Sequence, residues 1–255
     1  MKKFLALFRK TGYVVSYIFS FLVIALFFRI PRARGIIEEV FLEKDFNWDK
    51  GKRLYVSNHP SWLDQFFSLM LRLPYWRPDY SPYIAVANDS IKRIPFFRFL
   101  KFISFVIPIE RTGIQPLAVS HIEKMNDLLS AGFSVMIAGA PGRDFKAREG
   151  ETIYSPLKGK PLRKFTQLCG LLAIQPGVET IPFAIDGTQQ IYREVEINGK
   201  KEMKFSFWRF FVRFWLLGKI KVKIIYGNPL VLEGKERAEA TEIIQQNVLN
   251  LLDFC

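Results

Sequence analysis

The sequence predicts an α/β fold, a single domain on a mixed and mainly parallel sheet flanked by helices, preceded by a hydrophobic anchor helix. Three observations lead there. Short runs rich in β-branched and aromatic residues, such as RLYVSN, FSVMIAG and ETIPFAIDG, alternate with segments whose apolar residues recur at helical spacing. A chain of 255 residues that is 49% hydrophobic and 24% charged buries a sizeable core and excludes disorder. Residues 13–28 carry no charge at all.

That uncharged run is the first element. As a helix it is roughly 24 Å long, and extension to Thr11 and Ile30 brings it near the bilayer's hydrocarbon thickness of about 30 Å. A secretory signal and a buried core helix are the rival readings, but for the signal Arg29, Arg32 and Arg34 stand where small residues should mark a cleavage site. Residues 1–35 are therefore read as an uncleaved anchor and 36–255 as the domain. Basic residues flank both ends, which leaves open the orientation and the choice between spanning and lying in the interface.

A polar connection around residues 43–53 leads into the strand RLYVSN and a helix SWLDQFFSLMLRL. A turn rich in Pro and Tyr at 74–83 precedes the strand YIAVAN, the helix-like IPFFRFLKF and the strand FVIPIERTG. Helical spacing from Pro116 to Ala131 stops at Gly132, and FSVMIAG follows as a buried strand. A basic loop over 141–162, a helix across about 162–175, the strands ETIPFAIDG and KIKVKIIYG and a last helix over about 234–252 complete the pattern. No internal repeat or low-complexity segment is present.

Lys plus Arg exceed Asp plus Glu by 37 to 24, a formal charge of +13, so the partner should be anionic. The 25 phenylalanines favour an anionic membrane surface over nucleic acid, because cations interleaved with large apolar side chains suit charge lying over hydrocarbon. The run FSFWRFFVRFWLLGKIK, residues 205–221, repeats that pattern with Trp208, Phe211 and Trp215 against Arg209, Arg213 and Lys219, and is read as interfacial in preference to core. No nucleic-acid-binding motif is recognisable. Cys169 and Cys255 have neither metal-ligand spacing nor the look of a disulfide framework, so a reducing, cytosol-facing location is the simpler reading.

Chemistry concentrates in YVSNHPSWLDQFF, residues 55–67, which contains one of the two histidines. Ser61 and Asp64 ahead of an apolar run fit a helix capping box, which accounts for both without His59. Alternatively, His59 occupies the turn after a strand and Asp64 the first turn of the next helix. A neutral imidazole accepts a proton near neutral pH, and a carboxylate on its other nitrogen fixes the tautomer and stabilises the cation. Spacing alone leaves both readings open. The other histidine, His121, lies among polar neighbours in a predicted helix and reads as a surface residue.

Asn58-His59-Pro60-Ser61-Trp62-Leu63-Asp64, after a short strand and downstream of a hydrophobic segment, resembles the first signature of the glycerophospholipid and lysophospholipid acyltransferase family. Ile94-Pro95-Phe96-Phe97 resembles the approach to that family's second signature, and Val106-Ile107-Pro108-Ile109-Glu110-Arg111 the signature itself. Thr180-Ile181-Pro182-Phe183-Ala184-Ile185, the strand KIKVKIIYGNPL and the last helix resemble its later segments, so the likeness spans about residues 50–252. The third signature departs: an aromatic followed by Pro, Glu, Gly, Thr and Arg is replaced by Gly139-Ala140-Pro141-Gly142-Arg143-Asp144, and the carboxylate is absent. If Arg143 matches the family arginine, Ala140 takes the glutamate's place; if Pro141 and Gly142 are matched instead, the glutamate is deleted; Asp144 and Glu149 are nearby acids with no spacing argument for replacing it.

The resemblance implies an acyltransferase that moves a fatty acyl group from acyl-CoA or acyl carrier protein, as co-substrate, to a hydroxyl of a lysophospholipid-like acceptor. It implies His59 as base, Asp64 as its orienting acid, and Arg111, Arg143 and Gly142 at the acceptor's anionic head group, a guanidinium being suited to gripping phosphate oxygens. Backbone N–H groups at the start of the 61–71 helix are candidate oxyanion donors. No metal or bound organic cofactor is implied. A lipid-binding protein of the same fold without catalysis, and a thioester or ester hydrolase, are the competing readings.

Overall fold

The computed structural model describes residues 30–44, 46, 51–61, 83–87, 106–109, 119–140, 142–144, 150–197, 200–206 and 208–255. The predicted anchor, Asp64, Arg111, and the helix that would begin at Ser61 beyond that residue lie outside them. Among the described residues no helix is long and apolar enough to cross a membrane.

The strands are β1 (Ile37–Phe41), β2 (Arg53–Ser57), β3 (Tyr83–Ala87), β4 (Val106–Ile109), β5 (Val135–Ala138), β6 (Thr152–Tyr154), β7 (Pro161–Arg163), β8 (Glu179–Asp186), β9 (Tyr192–Ile197), β10 (Lys200–Phe205) and β11 (Val222–Tyr226). The helices are α1 (Ile30–Ala33), α2 (Val119–Ser130), α3 (Leu168–Ala173) and α4 (Arg237–Phe254), with a 3-10 turn over Thr188–Ile191 and a π-helix over Arg209–Leu216. Among the described residues, seven strands form one sheet in the order β1-β11-β8-β2-β5-β3-β4. Every neighbouring pair is parallel except β11 against β8. The fold is thus α/β on a mixed, mostly parallel sheet.

Central β2 is buried at every position, as a parallel strand covered on both faces must be. Its alternation sends Leu54 and Val56 into a cluster with Val135 and Ile137 of β5, Met125 and Leu129 of α2, Cys169 and Leu172 of α3 and Ile244 of α4. On β8 and β11, Ala184 and Ile225 join Val248 and Leu252 of α4. Tyr226 instead stacks between Phe41 and Phe183, with ring centroids 4.9 and 5.3 Å away. α2 ends where Gly132, at φ +87°, adopts the left-handed conformation that glycine tolerates.

The structure departs from the sequence reading in four places. β1 was not expected, because IEEVF places two acids in succession; it is an edge strand whose Glu39 pairs with Arg32 at 3.1 Å, so the charges are accommodated at the rim. The expected loop at 141–162 contains β6 and most of β7, a hairpin whose connection is held by Asp253 of α4, which accepts the Lys158 N–H at 2.9 Å and the Leu157 N–H at 3.2 Å. The helix expected from 162 begins only at Leu168, because β7 occupies Pro161–Arg163. The unassigned stretch after residue 191 is the β9–β10 hairpin, too charged to read as a strand pair.

Candidate active site

β2, β5 and β8 run parallel, and the chain segments leaving their C-terminal ends meet at His59. Open α/β sheets place ligands at this edge. Two contacts determine where His59 stands. Asn58 is 2% exposed, and its side-chain amide pairs with the Ile185 backbone in both directions, Nδ2 donating to the carbonyl and Oδ1 accepting from the N–H, each at 2.8 Å. The amide thereby continues the β2–β8 ladder one residue beyond the strand. From the β5 side, the buried Asp144 accepts the His59 N–H on Oδ2 at 3.0 Å and donates its own N–H to the His59 carbonyl at 2.9 Å.

Asp144 also accepts the Arg163 N–H on Oδ1 at 3.1 Å, so one carboxylate joins the loops after β2 and β5 to β7. Gly139 strengthens the junction, donating to the Ser57 carbonyl at 2.8 Å and accepting from Thr166 N–H at 2.9 Å. His59 is half-buried. Its backbone is held by the chain segments that leave two neighbouring strands.

The structure brings Gly142 and Arg143 to this junction, in sequence beside Asp144. A Cβ on Gly142 would lie 2.2 Å from the Arg163 guanidinium, so the glycine makes room for that side chain, which bonds Glu151 at 2.8 Å. The Arg143 guanidinium lies 5.3 Å above the Tyr192 ring centroid, a cation–π contact. Ala140 is 3% exposed, and an unpaired glutamate there would be costly to bury. Lys160 meets Asp186 at the end of β8 at 2.5 Å. Burial pushes the Asp186 carboxyl upward, but hydrogen bonds from Lys160 and Gln189, the lysine's charge and the Gly187 N–H outweigh it and hold the group below its ordinary value.

Asp64 and Arg111 fall outside the described residues. His121 sits half-buried on α2. Cys169 is fully buried with its thiol pushed up to about 12 by desolvation against an opposing backbone hydrogen bond, so it is unsuited to nucleophilic chemistry. Sequence reasoning gave Asn58 no separate task and found no spacing argument for Asp144. Both act by bonding backbone on strands distant in sequence, which leaves no local periodicity to read.

The description "Acyltransferase" belongs to the family whose profile matches residues 38–186, more than half of the chain, from β1 through the end of β8. No curated protein matches the sequence significantly. Among solved structures, the crystal structure of the 1-acyl-sn-glycerophosphate (LPA) acyltransferase PlsC from Thermotoga maritima is similar at 13% identity and a TM-score of 0.47, over 90% of this chain and 80% of that one.

Proposed function

Because the chain belongs to the acyltransferase family, we propose that it is a membrane-bound enzyme, with residues 1–35 as anchor and 36–255 as a cytoplasm-facing domain, acylating a lysophospholipid-like acceptor. The acyl donor is an acyl-CoA or acyl carrier protein thioester. The observation that carries this reading is His59, held at the C-terminal sheet edge by Asn58 and Asp144 beside the Gly142–Arg143 loop, inside the family-matched span.

In the proposed reaction, His59 accepts the proton of the acceptor hydroxyl as its oxygen attacks the thioester carbonyl carbon. Asp64 orients the imidazole and stabilises the imidazolium. Collapse of the tetrahedral intermediate breaks the carbon–sulfur bond, and the imidazolium returns its proton to the departing thiolate. Transfer is direct, with no acyl-enzyme. Arg143 and Arg111 hold the anionic head group, and Gly142 lets the Arg163 guanidinium pack beside it.

The test is to incubate membranes containing the protein with labelled acyl-CoA or acyl carrier protein and a panel of lyso-lipids, identifying products by mass spectrometry. Acylated lipid supports the proposal. Free fatty acid alone would make the protein a hydrolase, and bound lipid without product would make it a lipid-binding relative, a reading favoured only by the missing third-signature glutamate.

A further inference from the structure

We propose that the π-helix Arg209–Leu216 and the residues flanking it form a bilayer-contact face that sets how the domain sits on the membrane. The inference shares with the proposed function the premise that the chain works at a lipid surface, but it does not depend on any acyl transfer.

The first observation is an apolar face left uncovered among the described residues. Trp208 is 69% exposed, Leu217 53% and Leu216 43%, although the segment is anchored from beneath by Phe214, which is fully buried and stacks on Phe210 at 5.6 Å. Phe211 and Trp215 stack at 5.5 Å, so the large rings are pre-ordered and little rotamer freedom remains to be lost on insertion. The cations Arg209, Arg213, Lys219 and Lys221 share the segment and its flank, and no Asp or Glu occurs from Phe205 to Ile225. A cationic rim around exposed aromatic and leucine side chains complements an anionic bilayer interface.

The second observation is where this face is tethered. Arg34 donates from Nη1 to the Trp215 carbonyl at 2.7 Å and from Nη2 to the Leu216 carbonyl at 2.8 Å, satisfying the end of the π-helix. Lys221 Nζ donates to the Gly35 carbonyl at 3.0 Å, and the Val222 N–H to Ile36 at 2.9 Å. The residues clamped here, 34–36, begin six positions after the uncharged run ends at Phe28. Wherever that run meets lipid, its C-terminal continuation is fastened to the π-helix.

The third observation connects the face to the site. Arg209 Nη1 donates to the Tyr192 carbonyl, and the ring of Tyr192 lies under Arg143. A lipid head group at the interface therefore lies on the Tyr192 side of the site, where Arg143 is held.

The experiment uses the full chain in Cys255→Ser background, in vesicles of mixed phosphatidylcholine and phosphatidylglycerol, with an environment-sensitive fluorophore on Leu217→Cys or, as control, on Leu157→Cys. Leu157 is 86% exposed on the β6–β7 connection, and buried Cys169 should not label. The expected result is that the 217 probe is quenched severalfold more by nitroxide-bearing lipid than the 157 probe and is shielded from aqueous iodide. Iodide quenching at 217 equal to that at 157 would overturn the proposal. So would quenching by neither agent, which would mean protein covers the face, and so would equal lipid quenching at both sites. Because the probes report depth alone, the proposal survives or fails independently of whether acylated lipid is made.

Discussion

Asp144→Asn tests whether the junction built around His59 matters to the reaction. The carboxylate presents two acceptor oxygens to two backbone donors, His59 N–H at 3.0 Å and Arg163 N–H at 3.1 Å. An asparagine has one acceptor oxygen, so its NH₂ must face one of those donors. Leaving one buried donor unpaired costs about 1–3 kcal/mol, which a domain of this size withstands at reduced temperature. If the donor released is His59's, the turn carrying the imidazole loses one of its two bonds to Asp144, while the Asp144 N–H bond and the Asn58 pairing remain. Misplacement of a catalytic group by about 1 Å is enough to cost around a hundredfold in rate. The expected outcome is therefore a folded protein whose kcat falls by about ten- to a hundredfold. The assay is product formation from labelled acyl-CoA, with thermal unfolding measured alongside. A Tm lowered by the substitution with kcat within a fewfold of native would show that Asp144 serves stability alone.

Further expectations follow from the same contacts. His59→Ala keeps the backbone bonds to Asp144, so it should remain folded while turnover drops by on the order of a hundred- to ten-thousandfold; near-normal turnover would remove His59 from the mechanism. Lys160→Met removes the cation that helps hold Asp186 below its ordinary value of 3.8. The stabilisation from a lowered carboxyl pKa is present above the unfolded value and lost as pH falls through the folded one, so acid unfolding of this variant should begin at higher pH, as circular dichroism would report. Cys169 and Cys255 are both raised from 9.0 to about 12, chiefly by burial, so neither should react readily with a maleimide at pH 7.5 in the folded protein. Because raised thiol pKa values stabilise the fold below 9.0 and that contribution fades as pH climbs toward 12, stability should decline through this alkaline window, measurable by denaturant unfolding.

Much of the fold is legible because the information is local. β2, β3, β4, β5, β8 and β11 all lie within predicted strand segments, and α2 and α4 lie near their expected bounds, since burial on a sheet face or helix stripe imposes a period on each segment separately. His59 stands out as a candidate in the sequence through neighbours that resemble a family signature. What the sequence leaves undetermined depends on meetings between distant segments. The order β1-β11-β8-β2-β5-β3-β4 places Ile185 and Asp144 on opposite sides of residues 58–59, a consequence of chain crossover that no periodicity encodes. Asp144 shows the distinction most clearly. In the sequence it is an acid without a task in a divergent loop; in the structure its carboxylate lies within hydrogen-bond distance of two backbone donors from separate elements. Likewise, alternating aromatics and cations announce an amphipathic segment at 205–221, but only tertiary packing decides that Phe214 turns inward, that Trp208, Leu216 and Leu217 remain outside, and that Arg34 seats the chain's N-terminal part against them. Composition specifies which side chains are available for burial, whereas the sheet's geometry selects the ones that core space and backbone pairing can accommodate.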